Sequence, residues 1–199
     1  MNEAQNILKK YFGYENFRQG QEEIIKHILN SEDVLGIMPT GAGKSICYQV
    51  PAMILDGVTI VISPLISLMK DQVDSLNEIG IPSTYVNSTL SYNNYEQTIE
   101  NILNNVYKIV YVAPERLNSD IFLNLLNKIN VSMVTIDEAH CVSQWGHDFR
   151  PSYREIANMI LNLKKRPIVS AFTATATEIV KEDIINLLHL EKPFCLTTG

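Results

Sequence analysis

Val34-Leu35-Gly36-Ile37-Met38, continuing into Pro39-Thr40-Gly41-Ala42-Gly43-Lys44-Ser45, is the stretch on which the fold turns. A short apolar run stops at Pro39 and Gly41, and a helical pattern runs from about Lys44 to Leu55. This order predicts a buried strand, a tight turn and a helix. Gly41 and Gly43 let main-chain N–H groups come close to an anion. The helix opening at Lys44 would present its positive end to that anion. In a phosphate loop, Lys44 would reach the β- and γ-phosphates of a nucleotide and the Ser45 hydroxyl would hold magnesium. The strict pattern starts with Gly, whereas this chain has Met38 there. A plain glycine-rich turn therefore stays open until a partner motif is found.

The partner lies about ninety residues downstream, at Val134-Thr135-Ile136-Asp137-Glu138-Ala139-His140. An apolar strand delivers two acids side by side at its end. Adjacent carboxylates there are costly unless a cation is near. Asp137 would position magnesium, and Glu138 would orient and polarise an attacking water. His140 reads either as a hydrogen-bonded core histidine or as a link from the γ-phosphate site to a neighbouring segment.

Outward from these two motifs the periodicity alternates. Strands are expected at Val58–Ile62, Thr84–Val86, Lys108–Val112, Met133–Asp137 and Ile168–Phe172. Helices are expected at Glu3–Phe12, Gln21–Leu29, Leu65–Ile79, Tyr92–Leu103 (capped by Ser91), Ile121–Lys128, Ser152–Leu163 and Glu178–Leu188. Alternating strands and helices imply an α/β fold with a mostly parallel sheet and helices on both faces. Ligands in such sheets sit beyond the C-terminal strand ends, where both motifs fall.

The 199 residues suggest one domain, and 46% hydrophobic against 19% charged residues argue against disorder. The net charge of −6 argues against coating nucleic acid or membrane by bulk charge, though not against a local patch. Cys47, Cys141 and Cys195 are odd in number and far apart, so neither a disulfide framework nor a zinc site is expected. The N-terminus lacks the pattern of a signal peptide, and no apolar run has the length of a membrane span. The expected compartment is the cytoplasm, or the nucleus in a eukaryote.

Asp137-Glu138-Ala139-His140 resembles motif II of superfamily 2 helicases. Cys141-Val142-Ser143-Gln144-Trp145-Gly146-His147-Asp148-Phe149-Arg150-Pro151 is similar to the aromatic-rich loop of RecQ-family DNA helicases. The likeness runs over nearly the whole chain. Phe12-Gly13-Tyr14 and Phe17-Arg18-Gln19-Gly20-Gln21 resemble the family's adenine-recognition motif. That resemblance implies Tyr14 stacking on the base, Gln21 pairing with its edge and Arg18 as a further contact. Ser63–Gln72 resembles motif Ia, Ala113–Leu117 a further block, and Phe172–Thr177 motif III.

The residue chemistry of these blocks stands beside the resemblance. Ser63-Pro64-Leu65 ends a strand and starts a helix, so its N–H groups either take a DNA phosphate or are simply capped. Asn87, in the polar loop Asn87-Ser88-Thr89, has the same two readings. Thr173 and Thr175 either relay between nucleotide and DNA sites or cap the last helix. The loop from Ser143 to Arg154 concentrates Trp145, His147, Phe149, Arg150, Tyr153 and Arg154. Aromatics stack on single-stranded bases and arginines add phosphate and cation–π contacts. The competing reading is a mini-core under the motif II strand.

The resemblance implies a RecA-like P-loop domain using ATP and Mg²⁺, with single-stranded and forked DNA as partners. Residues 1–199 would be the first lobe of a 3′-to-5′ helicase of DNA repair and recombination. The second lobe, with its arginine finger, and the zinc and winged-helix modules would lie outside this chain. The lobe alone is then expected to turn over little ATP. Two alternatives stay open: a nucleotide-dependent binding module without hydrolysis, and an RNA helicase lobe.

Overall fold

Seven strands make one sheet in the computed structural model, which describes residues 1–199. They are β1 (Val34–Ile37), β2 (Val58–Ile62), β3 (Ser83–Val86), β4 (Ile109–Val112), β5 (Val131–Ile136), β6 (Ile168–Thr173) and β7 (Phe194–Thr197). Their order across the sheet is β3-β4-β2-β5-β6-β1-β7, and every neighbouring pair is parallel. The strands are apolar at nearly every position because both faces are covered. Alternate residues then point to opposite faces. Ile60, Ile62, Val110, Val134 and Val169 enter one core, while Val61, Ile109, Tyr111, Met133 and Phe172 enter the other.

The first core is closed by Phe122 and Leu126 of α6 (Asp120–Leu126), Ile156 and Ile160 of α7 (Glu155–Asn162), and Val180 and Ile184 of α8 (Glu178–Leu187). The second is closed by Ile24 and Ile28 of α2 (Gln21–Leu29), Tyr48 and Ala52 of α3 (Lys44–Ile54), and Met69, Val73 and Leu76 of α4 (Ile66–Glu78). Each large apolar side chain so buried contributes about 1.5–3 kcal/mol. The N-terminal α1 (Asn2–Ile7) packs on α3 through a small third cluster containing Ala4, Leu8 and Val50. The helix α5 (Tyr92–Leu103) starts where expected, with the Ser91 hydroxyl accepting from the Asn94 N–H.

Three sequence expectations need adjusting. The segment expected as one helix over Glu3–Phe12 changes to a π-helical turn at Leu8–Phe12 and ends at Gly13, in the left-handed conformation. The helix expected from Ser152 begins instead as a 3₁₀ turn at Pro151–Arg154, which buries Tyr153 against the motif II strand. The edge strand β7 is new. It pairs with β1, and Phe194 stacks on His27 at 3.7 Å between ring centroids.

One buried carboxylate ties the sheet together on the side away from the motifs. Asp33 is 4% exposed. It accepts two bonds from Arg166, at 2.6 and 3.1 Å, and one each from the backbone N–H of Val169 (2.9 Å) and Glu191 (2.7 Å). The entrances of β1, β6 and the segment leading to β7 are thereby joined at one point. At the opposite edge, strand order places the loops after β5, β6 and β1 side by side.

Candidate nucleotide-binding site

The phosphate loop needs its glycines for two different reasons. Gly41 and Gly43 both have φ near +80°, a conformation side chains resist. At Gly43 there is also no room, because a Cβ would strike the Gln21 amide. That amide holds the loop from below. Its nitrogen donates to the Gly43 carbonyl (3.0 Å) and reaches that of Ala42 (3.4 Å), while its oxygen accepts from the Arg18 N–H (2.8 Å). The Arg18 guanidinium donates to the Gly41 carbonyl (2.8 Å). Gln21 is 3% exposed and both ends of its amide bond within the chain, while the residue lines the same cavity as Tyr14 and Arg18.

Lys44 Nζ donates to the Met38 carbonyl at 3.1 Å. Only the backbone of Met38 faces the loop, and its side chain is fully buried in the core near Cys47. The departure from Gly at this position therefore leaves the loop's shape intact. Tyr14, half-exposed, lines a cavity of about 570 Å³ with Arg18, Gln21 and residues of α4, including Leu68 and Gln72. Thr40 is exposed at the loop's rim, and Ala42, Gly43, Lys44 and Ser45 are partly buried.

Lys44, Ser45, Asp137 and Glu138 line one smaller cavity of about 280 Å³, together with Tyr48 and Gln72. The two sequence motifs thus meet in space. Their oxygen donors, a hydroxyl and carboxylates, suit a hard divalent cation such as Mg²⁺. Burial, and next the Glu138 charge, push the Asp137 carboxyl up to about 6, against the opposing effects of its bond from the Glu138 N–H and of Lys44.

This shift has a definite sign. A carboxyl raised in the folded state is most favourable to folding when protonated. Its contribution is present below the unfolded value near 4 and lost as pH rises through about 6. With chelator present, chemical denaturation should show stability falling by at most about 3 kcal/mol across that window. Asp137→Asn should flatten the trend, and an unchanged slope would remove Asp137 as its source.

Glu138 carries the strained backbone of the site, with φ 51° and ψ 46°. Such a conformation costs about 1–3 kcal/mol outside glycine. It is imposed by its neighbours. Asp137 Oδ1 accepts from the Glu138 N–H (2.9 Å), the Cys141 N–H donates to the Glu138 carbonyl (2.9 Å), and the Tyr153 hydroxyl donates to the Asp137 carbonyl (2.8 Å). Tyr153, which packs as one reading allowed, is thus also a prop for the acids.

His140 is 4% exposed and makes a defined bridge. Its Nδ1 lies 2.8 Å from Thr173 Oγ1, and the Thr173 hydroxyl donates to the Thr175 carbonyl (3.1 Å). Thr173 must therefore accept, so Nδ1 carries the proton. Burial lowers the His140 pKa, in keeping with a neutral ring. The Glu138 carboxylate lies 3.4 Å from the same nitrogen. Thr173 thus connects with the acids through His140, while the Thr175 side chain is exposed and only its carbonyl takes part.

The aromatic-rich segment leaves from here. Its Gly146 packs so closely that a Cβ would meet the His140 carbonyl at 2.7 Å. His147 stacks on His140 with centroids 4.2 Å apart. Trp145 is 75% exposed, which is not the mini-core reading for that residue. Arg154 lies over the Phe149 ring, and Arg150 pairs with Asp148 at 3.1 Å. The ligand atoms of His140, Cys141 and Asp148 do gather within 4.8 Å, although the cysteine spacing gave no hint of it. The Arg150 guanidinium already holds that Asp148 oxygen.

Two further residues make the local bonds that one of their two readings allowed. The Ser63 hydroxyl, 4% exposed, accepts from the Leu65 N–H at 3.2 Å, so that N–H is capped within the chain. Asn87 is 1% exposed and its side chain accepts from the Thr89 N–H (2.9 Å) and hydroxyl (2.6 Å). Its amide organises its own loop and does not project outward. Sequence reasoning passed over Gln72 and Tyr48, which line the phosphate cavity, because helical spacing alone does not say which cavity a residue meets.

Comparison with known proteins agrees with this geometry. The DEAD/DEAH box helicase family matches residues 18–183. The chain is 51% identical over its whole length to the ATP-dependent DNA helicase RecQ of Bacillus subtilis, and covers 34% of that protein. It is 46% identical over 94% of its length to the RecQ helicase of Haemophilus influenzae, covering 30% of it. The chain thus spans about a third of the length of these relatives. Among solved structures, the DUF1998 helicase MrfA bound to DNA aligns with 98% of the chain and 29% of its own, at a TM-score of 0.79 and 20% identity. The Hef helicase domain of Pyrococcus furiosus aligns with 90% of the chain and 38% of its own, at 0.69 and 21%. These two establish the RecA-like helicase fold. The phosphate loop, the paired acids and the segment that follows them therefore have one common setting: this chain belongs to the DEAD/DEAH box helicase family, as an N-terminal lobe of the RecQ type.

Proposed function

We propose that this lobe binds and hydrolyses ATP with Mg²⁺ as part of a RecQ-like 3′-to-5′ DNA helicase, coupling hydrolysis to movement on single-stranded DNA and to unwinding of forked duplexes. The observation that carries the reading is the meeting of Lys44, Ser45, Asp137 and Glu138 around one cavity. Lys44 holds the β- and γ-phosphates, and Ser45 and Asp137 hold Mg²⁺. That ion supplies charge neutralisation on the transferring phosphoryl group. Glu138 orients water and takes its proton. His140 and Thr173 carry the state of this site toward the DNA-binding loop, where Trp145 and Phe149 stack on bases and Arg150 and His147 contact the strand.

The second lobe, which the partial coverage of the relatives implies, supplies the arginine finger. Such a finger is worth about 10³–10⁵ in turnover, so the lobe alone hydrolyses ATP barely. No helix is long and apolar enough to cross a membrane, and we place the protein at the bacterial nucleoid in the cytoplasm, or in a eukaryotic nucleus.

The test is Lys44→Ala. Losing one partner of a buried charge-assisted contact costs about 2–5 kcal/mol, so nucleotide affinity should fall about 30-fold or more. Circular dichroism should stay native. Unchanged affinity in a folded variant would refute the phosphate-loop assignment. Titrations with matched single strands of DNA and RNA separate the DNA reading from an RNA helicase lobe.

A further inference from the structure

We propose that Asp183, on a helix outside every motif described above, is a positioning residue that sets the DNA-binding loop in register with the ATP site. This rests on the coupling role proposed for that loop.

Between Glu138 and the aromatic loop runs one short 3₁₀ turn, Ala139–Val142. It is pinned at both ends to the same downstream segment. At its start, His140 bonds Thr173 at the end of β6. Just beyond its end, the Ser143 hydroxyl donates to Asp183 Oδ2 on α8 at 2.6 Å. Ser143 is fully buried, and its oxygen also accepts from the Trp145 N–H at 3.1 Å. The chain of contacts therefore reads Asp183 to Ser143 to the backbone of Trp145. A carboxylate acceptor makes the first bond short and strong.

The second anchor is mechanically continuous with the first. Thr177 caps α8, its hydroxyl accepting from the Val180 N–H at 3.3 Å, so the helix begins directly after the Thr173–Thr175 turn. A shift of that turn moves α8, and with it Asp183, Ser143 and the start of the aromatic loop. With only the His140 anchor, the loop would follow the acids alone. With both, the turn from Ala139 to Val142 transmits displacement at its two ends together. The His147–His140 stack and the contact of Gly146 with the His140 carbonyl keep the loop folded back over this link.

Trp145 is the one tryptophan of the chain, so its emission reports the loop directly. The experiment compares wild type, Asp183→Ala, Ser143→Ala and the double variant. In the 199-residue chain, Trp145 fluorescence anisotropy should fall in each single variant and no further in the double, the mark of two residues on one path. In the protein carrying both lobes, the ratio of DNA-stimulated to basal ATP hydrolysis should fall by about fivefold or more, within the range typical of coupled sites. Basal hydrolysis of Asp183→Ala should stay at the wild-type level. Asp183→Asn retains an acceptor oxygen and should recover much of both signals, and Ser143→Ala, which removes the same bond, replaces Asp183→Ala if circular dichroism shows that one misfolded.

Unchanged anisotropy and an unchanged ratio in folded Asp183→Ala, or additive losses in the double variant, would overturn the proposal. Failure of the wild type itself to respond to single-stranded DNA would instead defeat the functional reading. The anisotropy measurement would still decide the tether.

Discussion

Glu138→Gln should lower ATP turnover by about 10²–10⁴-fold, the usual worth of a positioned general base. Glutamine keeps the length and volume of the side chain but takes up no proton from water. The strained backbone is held by Asp137, Cys141 and Tyr153 rather than by the Glu138 carboxylate, so the acid can be replaced without releasing the turn. Nucleotide affinity should change only a few-fold, because Lys44, Ser45 and Asp137 remain. The measurement is single-turnover hydrolysis with DNA present, in the protein carrying both lobes, beside a nucleotide titration. Turnover within fivefold of wild type would remove Glu138 from the chemistry.

The second large effect concerns stability. Asp33→Ala should destabilise the chain by about 2–5 kcal/mol, chiefly the cost of leaving the Val169 and Glu191 N–H groups without their acceptor, with a smaller share from the half-buried Arg166 pair. Four donors lose their acceptor at once: two on Arg166 and the N–H groups of Val169 and Glu191. Two of these are backbone groups at strand or segment starts, which have no easy substitute. The contrast is Lys70–Asp74, an exposed pair at 2.6 Å one helical turn apart, where removal should leave the unfolding midpoint nearly unchanged. Urea unfolding of both variants gives the comparison directly. A loss below about 1 kcal/mol for Asp33→Ala would show the junction to be dispensable.

The central strands were legible because burial on both faces leaves a short apolar run, rich in β-branched residues and bounded by turn residues. Val58–Ile62 is β-branched throughout and is a strand buried at every residue. The strand β7 was not legible. It is four residues long, follows Pro193, and alternates half-buried with exposed positions at the sheet edge. Asp33 left no trace either, since its partners lie at 166, 169 and 191 and only the assembled sheet collects them.

The site divides in the same way. Lys44 and Ser45 open α3 directly after the glycine turn, Asp137 and Glu138 directly follow β5, and the four line one cavity. Gln21 and Asn87 each bond through their amides inside the chain, contacts that the local sequence does not announce. Which way a flexible amide turns depends on carbonyls and N–H groups that come near only after folding. Met38 shows the converse: a departure that looked serious in sequence is absorbed because its side chain belongs to the core.

The position of β6 has a consequence for how the chain reaches this state. The phosphate loop follows β1 and the paired acids follow β5, but these strands are not neighbours; β6, made later, lies between them. During synthesis, at about 5–20 residues per second, the ribosome releases both halves of the nucleotide site before the strand that joins them. The site is therefore closed by an insertion, not by growth at an edge. Its assembly waits on a long-range pairing, the slow kind, and a nucleotide that needs both halves can stabilise only the chain in which that insertion has been completed.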